Sequence, residues 1–179
     1  MFQHILLPTD GSELSRDVAQ RAVSFAKAAN AAITALYAMQ VYRMDDFSEG
    51  DMVEPAVLGR LAAGAEEKAK ECLRFVKKLC KDAGVPCTTI ESDSGVPWEA
   101  IVNAADENGC DLIFMGSHGH GALRSLLLGS QTQNVLIHSD VPVLVYRPPR
   151  GNEARRKAKQ NDKENSKPCF RWAGFGFLA

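Results

Sequence analysis

The chain has 179 residues, 45% hydrophobic and 24% charged, a one-domain length with ordinary globular composition, which argues against disorder as the default. Its formal net charge of −1 averages two unlike parts, thirteen Lys/Arg against nineteen Asp/Glu before Arg150 and eight against three from Arg150 onward. The acidic body gives nucleic acid no electrostatic hold, and nothing approaching 18 consecutive apolar residues is present to form a transmembrane segment.

Phe2–Leu7 reads as a first strand. Pro8-Thr9-Asp10-Gly11 interrupts that apolar run too early for a signal peptide. Asp10-Gly11-Ser12 supplies turn and N-cap chemistry, with Asp10 itself a candidate cap ahead of Glu13. Leu14, Val18, Ala22, Phe25 and Ala29 then repeat at spacings of four, four, three and four, one buried stripe of a helix. Ala32–Met39 is a second strand. From Gln40 to Glu54 the periodicity is lost and five acidic residues collect, so this stretch reads as a long loop that either closes over a ligand or is simply solvated.

A long helix follows, carrying Leu58, Leu61, Ala65, Ala69, Cys72, Val76 and Leu79 on one face and stopping near Ala83-Gly84. Val85–Ser92 is a third strand. Gly95-Val96-Pro97 leads into a short helix with Trp98, Ile101, Val102 and Ala105 on one side. Asp111–Met115 is an almost wholly apolar fourth strand. After a glycine-rich stretch, Ser130 to His138 forms a helix and Val141–Tyr146 a fifth strand. Strands joined by helices of this length call for a parallel sheet with helices on both faces. The runs Ile5-Leu6-Leu7, Leu112-Ile113-Phe114-Met115 and Val143-Leu144-Val145 suit strands buried on both sides.

Such sheets bind ligands beyond the carboxyl ends of their strands, where the strand order reverses. Two segments fall there: Pro8-Thr9-Asp10-Gly11-Ser12, and Gly116-Ser117-His118-Gly119-His120-Gly121, which continues to Gly129-Ser130 at a helix start. Glycines let main chain approach a ligand, and a helix N-terminus favours an anion, a combination suited to a phosphate chain.

Gly116, Gly119, Gly129 and Ser130 match G-x2-G-x9-G-[ST] at every position. With Ile5-Leu6-Leu7-Pro8-Thr9-Asp10-Gly11-Ser12 and Val141-Pro142-Val143-Leu144-Val145, this makes residues 1–147 resemble the universal stress proteins of the ATP-binding subgroup. The resemblance implies an α/β fold, an open five-stranded parallel sheet of order 3-2-1-4-5, Rossmann-like and akin to the adenine nucleotide alpha hydrolases. It implies a nucleotide-binding domain over residues 1–149 and a separate tail over 150–179. Asp10 would lie at the ribose, Pro8 and Thr9 in the same crevice, and main chain at Ala38 against adenine. Met115 and Gly116 would flank the ribose and first phosphate. Gly119, Gly129, Ser130 and Gln131 would hold phosphates, with Ser117 and Thr132 alongside. His118, His120 and Arg124 are this chain's own residues in that loop; Arg124 either pairs with phosphate oxygens or faces solvent. The expected ligand is ATP, or else ADP or AMP, with Mg²⁺ arriving on the phosphates.

His118-x-His120 alone lacks the three or four ligands of a metal site. No nucleophilic constellation and no Gly-x4-Gly-Lys-[Ser/Thr] loop occurs, so the reading is a cytoplasmic, stress-responsive regulator with at most slow ATP hydrolysis. A true ATPase or adenylate-transferring enzyme, and a structural protein with an AMP-filled or empty pocket, are the alternatives. The five cysteines form no CxxC and read as reduced thiols, with Cys72 and Cys80 packed inside the long helix and Cys110 at a strand edge or in the core. Val141–Tyr146, an apolar edge, is expected to pair with its copy in a homodimer. The tail carries Arg155-Arg156-Lys157 and then Phe170, Trp172, Phe175, Phe177 and Leu178. It would dock a client protein or a membrane surface, pack on the dimer mate, or remain a disordered extension.

Overall fold

Five strands and four helices alternate along the chain in a computed structural model that describes residues 1–38, 55–93, 95–117 and 128–147. They are β1 (His4–Pro8), α1 (Glu13–Ala29), β2 (Ala32–Ala38), α2 (Pro55–Ala83), β3 (Cys87–Ser92), α3 (Pro97–Glu107), β4 (Leu112–Gly116), α4 (Ser130–His138) and β5 (Val143–Tyr146). Met1–Arg147 forms one compact unit. The acidic loop, the centre of the glycine-rich loop with His118, Gly119, His120, Gly121 and Arg124, and the tail lie outside the described residues.

All pairings are parallel and the strand order is β3-β2-β1-β4-β5. The central strands are hydrophobic on both sides because both sides are covered. Ile5, Leu7, Ile33, Ala35, Tyr37, Leu112 and Phe114 point to one face, where α1 and α2 pack through Val18, Ala22, Ala26, Leu73, Val76 and Cys80. Leu6, Leu36, Ile113 and Met115 point to the other, against Ile101, Ala104 and Ala105 of α3 and Val135 of α4. Alternation of side chains across a pleated strand assigns each residue to its face.

The local signals explain the ends of the elements. Ser12, in extended conformation, caps α1 by accepting the Ser15 N–H at 3.1 Å. Asp10 is therefore not the cap; its Oδ1 accepts the Ser12 N–H at 3.0 Å and shapes the turn before it. Asn30, at φ 55°, closes α1 with its N–H turned back to Ala26 and Lys27 carbonyls. The α1 stripe is rotated from the reading above. Ser15, Ala19, Val23 and Ala26 join Val18 and Ala22 inside, while Leu14, Phe25 and Ala29 sit at the margin, partly covered.

Strand boundaries are also narrower than hydrophobicity suggests. Val85 and Val141 belong to the turns that precede β3 and β5. Val143-Leu144-Val145 is only half-buried, since β5 is the outermost strand and α4 covers only part of it. At the opposite end of the sheet from the candidate site, Asp111 staples β1 to β4. Its two carboxylate oxygens accept N–H bonds from Gln3 at 2.7 Å and His4 at 2.9 Å. Burial alone would raise that carboxyl, but the backbone donors outweigh it and hold it below its ordinary value.

Candidate functional site

β1 and β4 are neighbours with Leu6 opposite Ile113, so Pro8 and Met115 stand side by side at the carboxyl edge of the sheet. The chain leaves β1 for α1 on one face and β4 for α4 on the other. The two connections therefore lead to opposite faces at the strand-order reversal, the place where sheets of this kind bind ligands.

The β1 side is a tight, polar turn. Thr9 donates its N–H to the Leu36 carbonyl at 2.8 Å, continuing the hydrogen bonding to β2 past the end of β1. Its hydroxyl donates to Ser15 Oγ at 3.3 Å and receives the Gly11 N–H at 3.4 Å. Gly11 stands at φ +75°, and a Cβ there would sit closer than 3.0 Å to Cys72 Sγ of α2. Glycine is required twice over: for the left-handed backbone and for the close approach. The stem of Lys68 passes the same point, with Cε 3.8 Å from the position such a Cβ would take. Cys72 is buried, and that burial pushes its thiol up.

The β4 side is pinched at its base. Ser117, 1% exposed, donates its N–H to the Tyr146 carbonyl, and its own carbonyl receives the Gly129 N–H at 2.8 Å. Chain that departs at Ser117 thus returns at Gly129 in direct contact with it. Gly129 is buried and is the N-cap of α4, in extended conformation with no side-chain cap bond. Thr132, 3% exposed, donates its hydroxyl to the Gly116 carbonyl at 3.0 Å, tying the first turn of α4 to the end of β4. The first helical bond of α4 is Gln133 N–H to Gly129 O. Helix geometry leaves the Ser130, Gln131 and Thr132 amides without intrahelical acceptors, and with them the positive end of the helix dipole.

The expected site residues fall into two groups. Pro8, Thr9, Asp10, Ala38, Met115, Gly116, Ser117, Gly129, Ser130, Gln131 and Thr132 gather at one edge of the sheet. Within that set some groups are already engaged. The Met115 side chain is in the core, the Gly129 amide is bonded to Ser117, and Gln131 Oε1 accepts the Trp98 N–H at 3.1 Å. What Met115 and Gln131 offer a ligand is chiefly main chain, and what Gly129 offers is closeness. His118, Gly119 and Arg124 lie outside the described residues. Sequence reasoning missed the supports: Ser15 under Thr9, Cys72 and Lys68 beside Gly11, and Trp98 on Gln131. Ser12-x-x-Ser15 could have been found as a capping pattern. The others join residues far apart in the chain and have no local signal.

The profile of the universal stress protein family matches residues 1–147. The chain belongs to this family. Universal stress protein MJ0531 of Methanocaldococcus jannaschii is 34% identical over 151 residues, spanning 84% of this chain and 85% of its relative. The solved structure of the MJ0577 protein of the same organism resembles this universal stress protein with a TM-score of 0.69 at 31% identity, covering 83% of this chain and 98% of the other. A universal stress protein solved in complex with cAMP is 26% identical, with a TM-score of 0.56 over 82% of this chain and 97% of its own. Among the described residues, no helix of this universal stress protein is long and apolar enough to cross a membrane.

Proposed function

We propose that this universal stress protein binds ATP at the carboxyl edge of the sheet and acts as a cytoplasmic, nucleotide-dependent regulator of the stress response. One observation carries the reading. The first turn of α4, whose amides have no intrahelical acceptor, and the Asp10 turn both lie at the carboxyl edge of the sheet, on either side of the point where strand order reverses. Ser130, Gln131 and Thr132 amides would hold phosphate oxygens, with Gly119 and Arg124 completing the loop. Asp10 would take the ribose hydroxyls and the Ala38 main chain the adenine. The complex of a family member with cAMP supports an adenine nucleotide as the ligand class.

Mg²⁺ would come with the nucleotide and keep most of its waters. Among the described residues no group of three or more His, Cys, Asp or Glu could hold a metal, so phosphate oxygens would be its main ligands. Phosphoryl transfer needs cationic charge at the γ-phosphate, and the chain has no Gly-x4-Gly-Lys-[Ser/Thr] loop. Hydrolysis is therefore at most slow, and occupancy rather than turnover would be the signal, read by a client through the tail and by the dimer through β5. A second reading has a specific support in the cAMP complex: a resident mononucleotide that makes the protein a scaffold.

Mass spectrometry of the small molecule released from the purified protein tests both, followed by calorimetric titration with ATP, ADP and AMP. ATP in the released fraction and tighter binding of ATP than AMP are expected. A mononucleotide that ATP fails to displace would overturn the first reading in favour of the second, and turnover above about 1 s⁻¹ would make the protein an enzyme.

A further inference from the structure

Helix α4 has few holds on the body of the protein. It is nine residues long, and of these only Thr132 and Val135 are buried. The hydrogen bonds that tie it to β4 and Ser117 are gathered at one end, where Gly129 reaches Ser117 and Thr132 reaches Gly116. An axis of nine residues runs about 13 Å, so ties at the first turn alone would leave the last turn able to swing. One residue of α3 holds both ends. The Trp98 main-chain N–H donates to Gln131 Oε1 at 3.1 Å. Trp98 follows Pro97 at the start of α3, so this amide has no intrahelical acceptor, and Val96 at the N-cap supplies no side-chain bond. Gln131 therefore caps α3 from the neighbouring helix. At the other end the Trp98 ring stacks on the His138 imidazole, with 4.4 Å between centroids and 28° between planes. His138 Nδ1 donates to the Asn134 carbonyl one turn back at 2.9 Å, which holds the imidazole in place for the stack. Trp98 is itself anchored against the core cluster of Ile101, Ala105 and Val135.

We propose that Trp98 is a positioning residue for phosphate recognition: it braces α4 at both ends and so holds the first-turn amides in the orientation that a polyphosphate requires. This rests on the reading of α4 as the helix that receives the phosphates, and adds the part that keeps the helix still.

The effect is one of direction. Peptide dipoles run along a helix axis, so a swing of the last turn of α4 turns the Ser130, Gln131 and Thr132 amides together. Hydrogen bonds weaken steeply as they bend, and three bent at once lose more than one. Adenine and ribose, expected at Ala38 and Asp10, belong to β2 and the β1–α1 turn and do not depend on α4. The brace therefore acts on phosphates and leaves nucleoside recognition alone. The ring pair sets the size of the effect, since an aromatic pair contributes enough to change an equilibrium about two- to tenfold.

The test is calorimetric titration of the full chain with ATP and, separately, with adenosine. Trp98→Ala is expected to raise the Kd for ATP about two- to tenfold and to leave that for adenosine unchanged. Trp98→Phe keeps an aromatic face for His138 and is expected to restore most of the ATP affinity. His138→Ala should reproduce the loss seen in Trp98→Ala. Because the two side chains act through one contact, the double variant should lose no more than either single one, whereas two independent defects would add. Trp98 is half-buried and His138 exposed, so if Trp98→Ala fails to fold, His138→Ala and Trp98→Phe carry the measurement. Wild-type protein that binds ATP no more tightly than adenosine would remove the phosphate site and the brace with it. A clear preference for ATP in the wild type that His138→Ala retains in full would overturn the brace alone, as would equal losses for ATP and adenosine.

Discussion

Replacing Gly11 by alanine separates two costs that usually arrive together. At φ +75° an L-residue loses roughly 1–2 kcal/mol to the left-handed backbone. A methyl group at this position also meets Cys72 Sγ at less than 3.0 Å, where 3.4–4 Å is ordinary contact. Overpacking of that kind costs about 1–3 kcal/mol. The sum is about 2–5 kcal/mol, a fall in Tm of roughly 5–15 °C for a domain of this size. Gly84 is the internal control. It has nearly the same backbone, φ +73°, but nothing lies within 4 Å of its would-be Cβ. Gly84→Ala should therefore show the backbone cost alone, about 1–2 kcal/mol. Cys72→Ala on its own removes one buried sulfur and should cost about 1 kcal/mol. Combined with Gly11→Ala it should remove the clash, giving a favourable coupling of roughly 1–3 kcal/mol in a double-mutant cycle. Urea denaturation of the four variants and the wild type measures each quantity. Equal losses for Gly11→Ala and Gly84→Ala, or no coupling with Cys72, would refute the close approach of α2 to this turn.

Asp111→Asn weakens the two N–H bonds that join β1 to β4 and should cost about 1 kcal/mol at neutral pH after solvent screening. Because the folded carboxyl lies below its ordinary value near 3.8, its contribution is complete above that value and vanishes as pH falls through the folded one. The gap between wild type and variant in urea melts should therefore close on acidification. Thr132→Val leaves the Gly116 carbonyl without its hydroxyl donor; a loss of about 1–2 kcal/mol is expected in urea melts, together with a several-fold weaker ATP affinity by calorimetry. Gln131→Ala removes the acceptor of the Trp98 main-chain N–H at the start of α3 and should cost about 1 kcal/mol in urea melts. Val145→Pro tests the proposed homodimer through β5. Pro142 and Tyr146 carbonyls serve β4, so strand alternation turns the Val145 N–H outward, and its loss should shift sedimentation from dimer to monomer with the fold intact.

Much of the fold was readable because each signal was local. The alternation of apolar runs with helical stripes gives the β-α order, and the glycine stop, the serine cap and the prolines give most element ends. Misreadings occur where a decision belongs to tertiary structure. Val143-Leu144-Val145 has the composition of a strand buried on both sides, yet at its expected place on the edge of the sheet it is only half-buried. Asp10 has capping chemistry, as does Ser12; the choice depends on which backbone enters the helix, and Ser12 does. The α1 stripe drifted because small residues such as Ser15 and Ala19 carry little hydrophobic weight, yet fit where helix and sheet approach closely.

The candidate site was legible as chemistry and less so as geometry. Motif spacing picks out Gly116, Gly129 and Ser130 but treats all glycines alike, as donors of close main chain. In the folded protein Gly129 donates to Ser117, which joins the two ends of the β4–α4 connection at the start of the helix, where the next three amides have no intrahelical acceptor. Thr132, expected from the resemblance beside the phosphates, turns its hydroxyl to the Gly116 carbonyl and ties the first turn of α4 to β4. The Ser117 main chain and the Thr132 hydroxyl therefore set the direction of the motif, while the glycines govern its reach. The same division holds on the β1 side, where Gly11 permits the approach and Thr9 with Ser15 sets its orientation. A variant that keeps every glycine but loses these hydroxyls should retain the signature and bind poorly, which spacing alone would never predict.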